Sequence, residues 1–187
     1  MLNTKTMKKN IFIIIIAFFT TIVLYAQPGQ QAVNNLLTQY QQNVNLSNGQ
    51  SFSDERDKKF IGLFTSSTAM VSALGIKTAG NKQIFVNRFV NLIKGTFDEE
   101  SDISLVLTKI KKKKPSKLSA SKYLYKITAS QSFTGFKKDG SDFTSVETIM
   151  LVIEYNVNTN TAFIVSTEVI DNKSGLYIDL HVLAGMT

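Results

Sequence analysis

The chain has 187 residues, with 21 Lys and Arg against 14 Asp and Glu, one His and no Cys or Trp. Without cysteine there can be no disulfide framework and no lipid tether through a thioether, so stability must come from packing. One His and no Cys also cannot supply the usual ligands of a zinc site.

The N-terminus reads as an export signal. Lys5, Lys8 and Lys9 precede an apolar run from Ile11 to Leu24, broken only by Thr20 and Thr21, and Ala26 places a small residue after it. A basic segment, a short apolar segment and a small residue at the cut are the parts of a secretory leader. The run falls short of the about 20 residues that span a bilayer, and Gln27-Pro28 ends it without a basic stop-transfer cluster. The expected organisation is a signal peptide at 1–26 and a single α+β domain at 27–187, working in the periplasm or outside the cell. Removing the three leader lysines leaves 18 basic and 14 acidic residues, a net charge of +4. That excess is too small to argue for nucleic acid. The wealth of Lys, Ile, Asn, Ser, Thr and Phe fits a bacterial chain from an AT-rich genome.

Beyond the leader, Val33, Leu36, Leu37, Tyr40 and Val44 fall on one stripe at helical spacing, and the Asn, Gln and Thr between them form an uncharged polar face. Asn48-Gly49 ends this helix. Ser53 is a good N-cap for a second helix, with Asp54 and Glu55 in its first turn, which presents Phe60, Ile61, Leu63 and Phe64 to a core. Ala69, Val71 and Ala73 alternate as in a short strand, although the run could also continue the helix. Gly75 and Ala79-Gly80 mark turns. Phe85, Val86, Phe89, Val90, Leu92 and Ile93 predict a third helix ending at Gly95.

Spacing then changes from helical to alternating. Strands are expected from Ile103 to about Lys111, from Tyr123 to Phe136, from Phe143 to Val157, from Ala162 to Ile170, and over Leu176, Ile178, Leu180 and Val182. Asp139-Gly140 is the strongest hairpin signal. Helices followed by a meander of antiparallel strands predict an α+β fold, with N-terminal helices packed on a curved, mainly antiparallel sheet.

Phe60-Ile61-Gly62-Leu63-Phe64 with Ala69-Met70-Val71, the helical run Phe85 to Ile93, and the strands around Phe133 to Gly140 and Ile149 to Tyr155 occur in an order that resembles the nuclear transport factor 2-like superfamily. The resemblance covers most of residues 31–170 and rests on element order and apolar spacing. It implies a cone-like, cystatin-type α+β domain. Enzymes of that superfamily place an acid–base carboxylate or histidine inside the cone.

Residues able to carry chemistry are few. His181 sits in the last expected strand, and no second catalytic group can be placed beside it. Glu147 shares a strand face with Ile149, Leu151 and Ile153, whereas Glu154 lies on the opposite face with Met150 and Val152. The two cannot both enter one cone unless a bulge resets the alternation. Asp98, Glu99, Glu100 and Asp102 lack the spacing of a calcium loop and read as a solvated connection. The candidate binding residues are Lys111, Lys112, Lys113 and Lys114, within a lysine run from Lys109 to Lys117 interrupted by Pro115. Clustered ammonium groups suit an anionic partner, or simply keep a sheet edge soluble and unpaired. No G-x-S-x-G, P-loop or dinucleotide-binding glycine pattern occurs, so no catalytic residue, metal or cofactor is assigned.

Two functions remain open at this point. One is a non-catalytic binding module of the cell envelope, whose partner is a small apolar ligand, an envelope protein or a second copy of the chain. The other is an isomerase- or dehydratase-like enzyme using His181 with Glu147 or Glu154. In neither does the mature form span the membrane.

Overall fold

The computed structural model describes residues 27–47, 50–76 and 82–171. The expected leader, the turns expected at Asn48-Gly49 and Ala79-Gly80, the strand expected over Leu176 to Val182, and His181 lie outside the described residues. In chain order the elements are α1 (Gln30–Val44), α2 (Asp54–Ile61), β1 (Met70–Ser72), β2 (Gln83–Phe85), α3 (Val86–Thr96), β3 (Ser104–Lys112), β4 (Ser116–Lys117), β5 (Lys122–Phe136), β6 (Asp142–Asn156) and β7 (Thr161–Asp171).

All five apolar stripe residues of α1 are buried. Its entry depends on Gly29, whose φ of 71° is left-handed and whose missing Cβ would fall 2.5 Å from the Tyr155 ring. A side chain there would meet both backbone strain and a ring. Helix α2 starts as its sequence indicates, with the Ser53 hydroxyl accepting from Arg56 N at 3.3 Å. Leu63 and Phe64 are buried, but they follow the helix rather than belong to it.

Two expectations need correction. Gly95 does not end α3, which runs on to Thr96 and is capped at Phe97. Phe97 is fully buried and packs edge-on against Phe133 and Phe143, with ring centroids 5.0 and 5.4 Å away. Burying that ring carries the helix past a weak glycine stop. Phe85 is not a core residue of α3. It ends the short strand β2, is 40% exposed, and lies under the Arg88 guanidinium.

The strands form one curved, mixed sheet in the order β2-β1-β7-β6-β5-β3, with β4 also paired to β5. Strands β5, β6 and β7 make an antiparallel meander, and β1 joins β7 in parallel through Met70 and Ser166. The Asp139-Gly140 turn joins β5 to β6: Gly140 has a φ of 86°, and Asp139 Oδ1 accepts from Ser141 N at 3.0 Å. Bulges interrupt β6–β7 pairing between Val152 and Ile153 and again between Thr148 and Ile149. The first resets the alternation of β7, so both Ile164 and Thr167 face inward and are fully buried.

The helices cover the inner face, and α1 also protects an edge. Asn45 Oδ1, at its C-cap, accepts from Leu105 N, and its Gln41 Oε1 accepts from Leu107 N at 2.8 Å. These backbone donors of β3 point away from β5 and would otherwise form an open edge. The uncharged polar face of α1 is therefore partly a sheet cap.

Candidate functional site

The inner face is apolar except for one patch. Ser72 of β1, Gln131 of β5, Glu147 of β6 and Thr167 of β7 are all 2% exposed or less. Strand register explains the meeting: Gln131 lies directly opposite Glu147, and the β1–β7 pairing brings Ser72 to Thr167 and Glu147. The Ser72 hydroxyl donates to Glu147 Oε2 and accepts from Leu74 N at 3.0 Å. Ser72 N donates to Thr167 Oγ1 at 2.7 Å, and Gln83 Nε2 donates to the Thr167 carbonyl. Tyr40 of α1 donates to Gln131 Oε1 at 3.0 Å. The remaining amide nitrogen, Gln131 Nε2, has no partner among the described residues.

Burial dominates the electrostatics of this patch. It pushes the Glu147 carboxyl above its ordinary value, partly opposed by the Ser72 hydroxyl, the Lys82 charge and the Gly75 backbone N–H. Burial also raises the Tyr40 phenol, with the nearby Glu147 charge adding to the effect. A carboxyl held in this way keeps its proton to a higher pH than a solvated one. Glu154 takes no part: it lies on the outer face and pairs with Lys122 at 2.8 Å. The neighbours of Glu147 are thus Ser72, Gln131 and Tyr40, while His181 lies outside the described residues.

Lys111, Lys112, Lys113 and Lys114 do not form one surface. Lys111 and Lys112 occupy successive positions of β3, opposite Thr128 and Ile127, and so face opposite sides of the sheet. Lys112 turns toward α1, donates to Asn34 Oδ1, and has its pKa lowered by burial. Lys113 and Lys114 are exposed where β3 breaks off before β4. Both β3 and β4 pair with β5, so Pro115 interrupts one edge rather than turning the chain back. None of the lysines from Lys109 to Lys117 pairs with an acid among the described residues.

The acidic connection after α3 folds on itself, with Asp98 Oδ1 accepting from Glu100 N at 3.1 Å. Among the described residues no three His, Cys, Asp or Glu side chains converge as metal ligands. No described helix is long and apolar enough to cross a membrane.

The outer face of the sheet has a different character. Val106, Val146, Phe163 and Ile170 are 43%, 47%, 39% and 54% exposed. Val106 and Val146 share one cross-strand row through Ser132.

No family model and no curated protein matches the chain. Among solved structures it is similar to Mtr2 of Candida albicans in complex with the Mex67 M domain, at 14% identity over 78% of this chain and 98% of that one, TM-score 0.44. It is similar to Candida albicans Mtr2 at 14% identity over 75% and 92% of the two chains, TM-score 0.41. A putative calcium/calmodulin-dependent protein kinase II association domain from Xanthomonas campestris shares 10% identity over 73% and 79%, TM-score 0.39. Similarity at this level names no family for the chain, and the α+β description rests on its own strand order and register.

Proposed function

We propose that the chain is an exported, non-catalytic interaction module of the bacterial cell envelope, acting in the periplasm or outside the cell through the outer face of its sheet. The observation that carries this reading is the exposure of Val106, Val146 and Ile170 on β3, β6 and β7, at one end of the outer face. Apolar surface left in water across several strands is the mark of a contact surface. The inner face, by contrast, is packed with the chain's own side chains from Phe133 to Ile164. That contrast favours an envelope protein or a second copy of the chain over a small apolar ligand. The helix placement and antiparallel meander agree with the nuclear transport factor 2-like resemblance.

A photo-crosslinking residue at Val146 tests the reading in producing cells, with Lys138 as the control position. The expected result is a discrete adduct from Val146 alone, lost on Val106→Asp substitution at unchanged thermal stability. Unreacted monomer at both positions would refute it. Export itself predicts a mature N-terminus at Gln27, readable by N-terminal sequencing of the exported protein.

The buried Glu147, hydrogen-bonded and with a raised pKa, favours a second reading as an isomerase- or dehydratase-like enzyme. Turnover of a candidate substrate that disappears in Glu147→Gln without loss of stability would replace the first reading with this one.

A further inference from the structure

One end of the sheet is basic, apolar at its tips and almost free of acids. Lys113, Lys114 and Lys117 are exposed there, on the broken edge that runs from β3 into β4. Lys122 begins β5 at the same end. Two turns close this end, and Val157 N donates to the Ser121 carbonyl at 2.8 Å, tying the β6–β7 turn to the β4–β5 turn. Their apolar tips, Leu118 and Val157, are 53% and 44% exposed. Glu154 is the acid at this end among the described residues, and Lys122 already neutralises it. The opposite end, by contrast, carries Asp98, Glu99, Glu100, Asp102, Asp139 and Asp142.

The described chain also begins at the basic end. Tyr125 of β5 donates to the Pro28 carbonyl, and Gly29 lies against Tyr155 of β6. The N-terminus of α1 therefore opens toward this end with no acid in its first turn, adding partial positive charge.

We propose that this end of the sheet is a membrane-facing surface that docks peripherally on anionic phospholipid. Lys113, Lys114 and Lys117 supply the electrostatic attraction, and Leu118 and Val157 enter the headgroup layer. A lysine near an anionic membrane contributes roughly a fivefold factor in partitioning, screened by salt within a Debye length. Exposed apolar tips between lysines suit an interface with acyl chains beneath it better than a soluble polyanion, which offers charge alone. The surface is distinct from the outer-face contact of the proposed function, although the docking assumes the same export.

The test uses the protein recovered after export and floated with vesicles of phosphatidylglycerol and phosphatidylethanolamine, or of phosphatidylcholine alone. Co-flotation is expected only with the anionic vesicles and should fall with added salt. Lys113→Gln, Lys114→Gln and Lys117→Gln together should weaken partitioning roughly a hundredfold, and Leu118→Ser with Val157→Ser should weaken it further, at unchanged melting temperature. Lys58→Gln, Lys59→Gln and Lys138→Gln remove the same charge elsewhere and should leave it nearly unchanged. The proposal is overturned if wild-type protein does not float at low salt, if both lysine sets act equally, or if soluble polyanion competes fully while the Leu118 and Val157 changes have no effect. Val106→Asp should break the crosslink of the proposed function without altering flotation, so either idea can fail alone.

Discussion

Two stretches of the same inner sheet face lie side by side and are held in opposite ways. At the end where β5 meets β6, Phe97, Phe133 and Phe143 form a triangle of edge-on rings with centroids 5.0 to 6.1 Å apart. One step further along the same strands stand Gln131 and Glu147, reached by Tyr40, Ser72 and Thr167. Apolar burial in the first stretch is non-directional, and each ring contributes through area and fit. In the second stretch the polar groups depend on named partners, and loss of one strands the other. The aromatic stretch therefore carries stability, whereas the polar stretch fixes geometry at a stability cost.

The largest expected effect falls on the aromatic side. Phe133 is fully buried between Phe97 and Phe143, so Phe133→Ala should destabilise by about 3–5 kcal/mol. Chemical denaturation checks this, and a loss below about 1 kcal/mol would mean that the triangle is not the anchor of this end. Gly135 sharpens the same point, because a Cβ there would come within 2.9 Å of the Phe97 ring.

Much of the aromatic side is legible in the sequence. Phe133 follows the alternation of β5, Asp139-Gly140 marks the turn, and Phe143 resumes the alternation in β6. Phe97 escapes because Gly95 reads as a helix stop, and tertiary burial overrides that local signal. Strand β2 escapes because its three residues run directly into the apolar helix spacing of Val86 and Phe89. The polar side is legible only in part. The face of Glu147 follows from its alternation with Ile149 and Leu151, and Gln131 breaks the apolar stripe between Ala129 and Phe133. Its partners carry no local signal: Ser72 is 75 positions from Glu147 and 95 from Thr167. Nor does the helical stripe of α1 reveal that Gln41 and Asn45 cap β3, since that depends on where the sheet edge runs.

The next effect is pH-dependent and belongs to Glu147. Its folded pKa lies above the ordinary 4.5, so between those two values the native state binds more protons than the unfolded state. Stability from this group is fully present below pH 4.5 and is lost as pH rises through the folded value. Glu147→Gln should remove that fall, and its stability curve should be flatter across this window than the wild-type curve. Ser72→Ala acts in the opposite sense, because the Ser72 hydroxyl favours the charged carboxylate. Its cost, about 1–3 kcal/mol for a stranded buried group, should be larger at neutral pH than in acid. Parallel curves for wild type and Glu147→Gln would show that Glu147 is solvated, and the contrast between the two stretches would lose its electrostatic half.

The smallest expected effect concerns Tyr40 and Gln131, and it tests whether the polar stretch costs stability at all. Tyr40 gives its hydroxyl to Gln131 Oε1 at 3.0 Å, while Gln131 Nε2 has no partner among the described residues. Tyr40→Phe alone removes the donor and leaves the whole buried amide without a partner, which should cost about 1–3 kcal/mol. Gln131→Leu alone removes the orphan nitrogen but strands the Tyr40 hydroxyl, so its cost should be smaller. Combining the two removes both polar groups at nearly conserved volume. The double variant should then lie within about 1 kcal/mol of wild type, and above the sum of the single losses. Strict additivity would mean that the two groups do not act as a pair. A gain in stability would place Gln131 among the residues kept for geometry, holding Glu147 opposite an amide at the expense of packing.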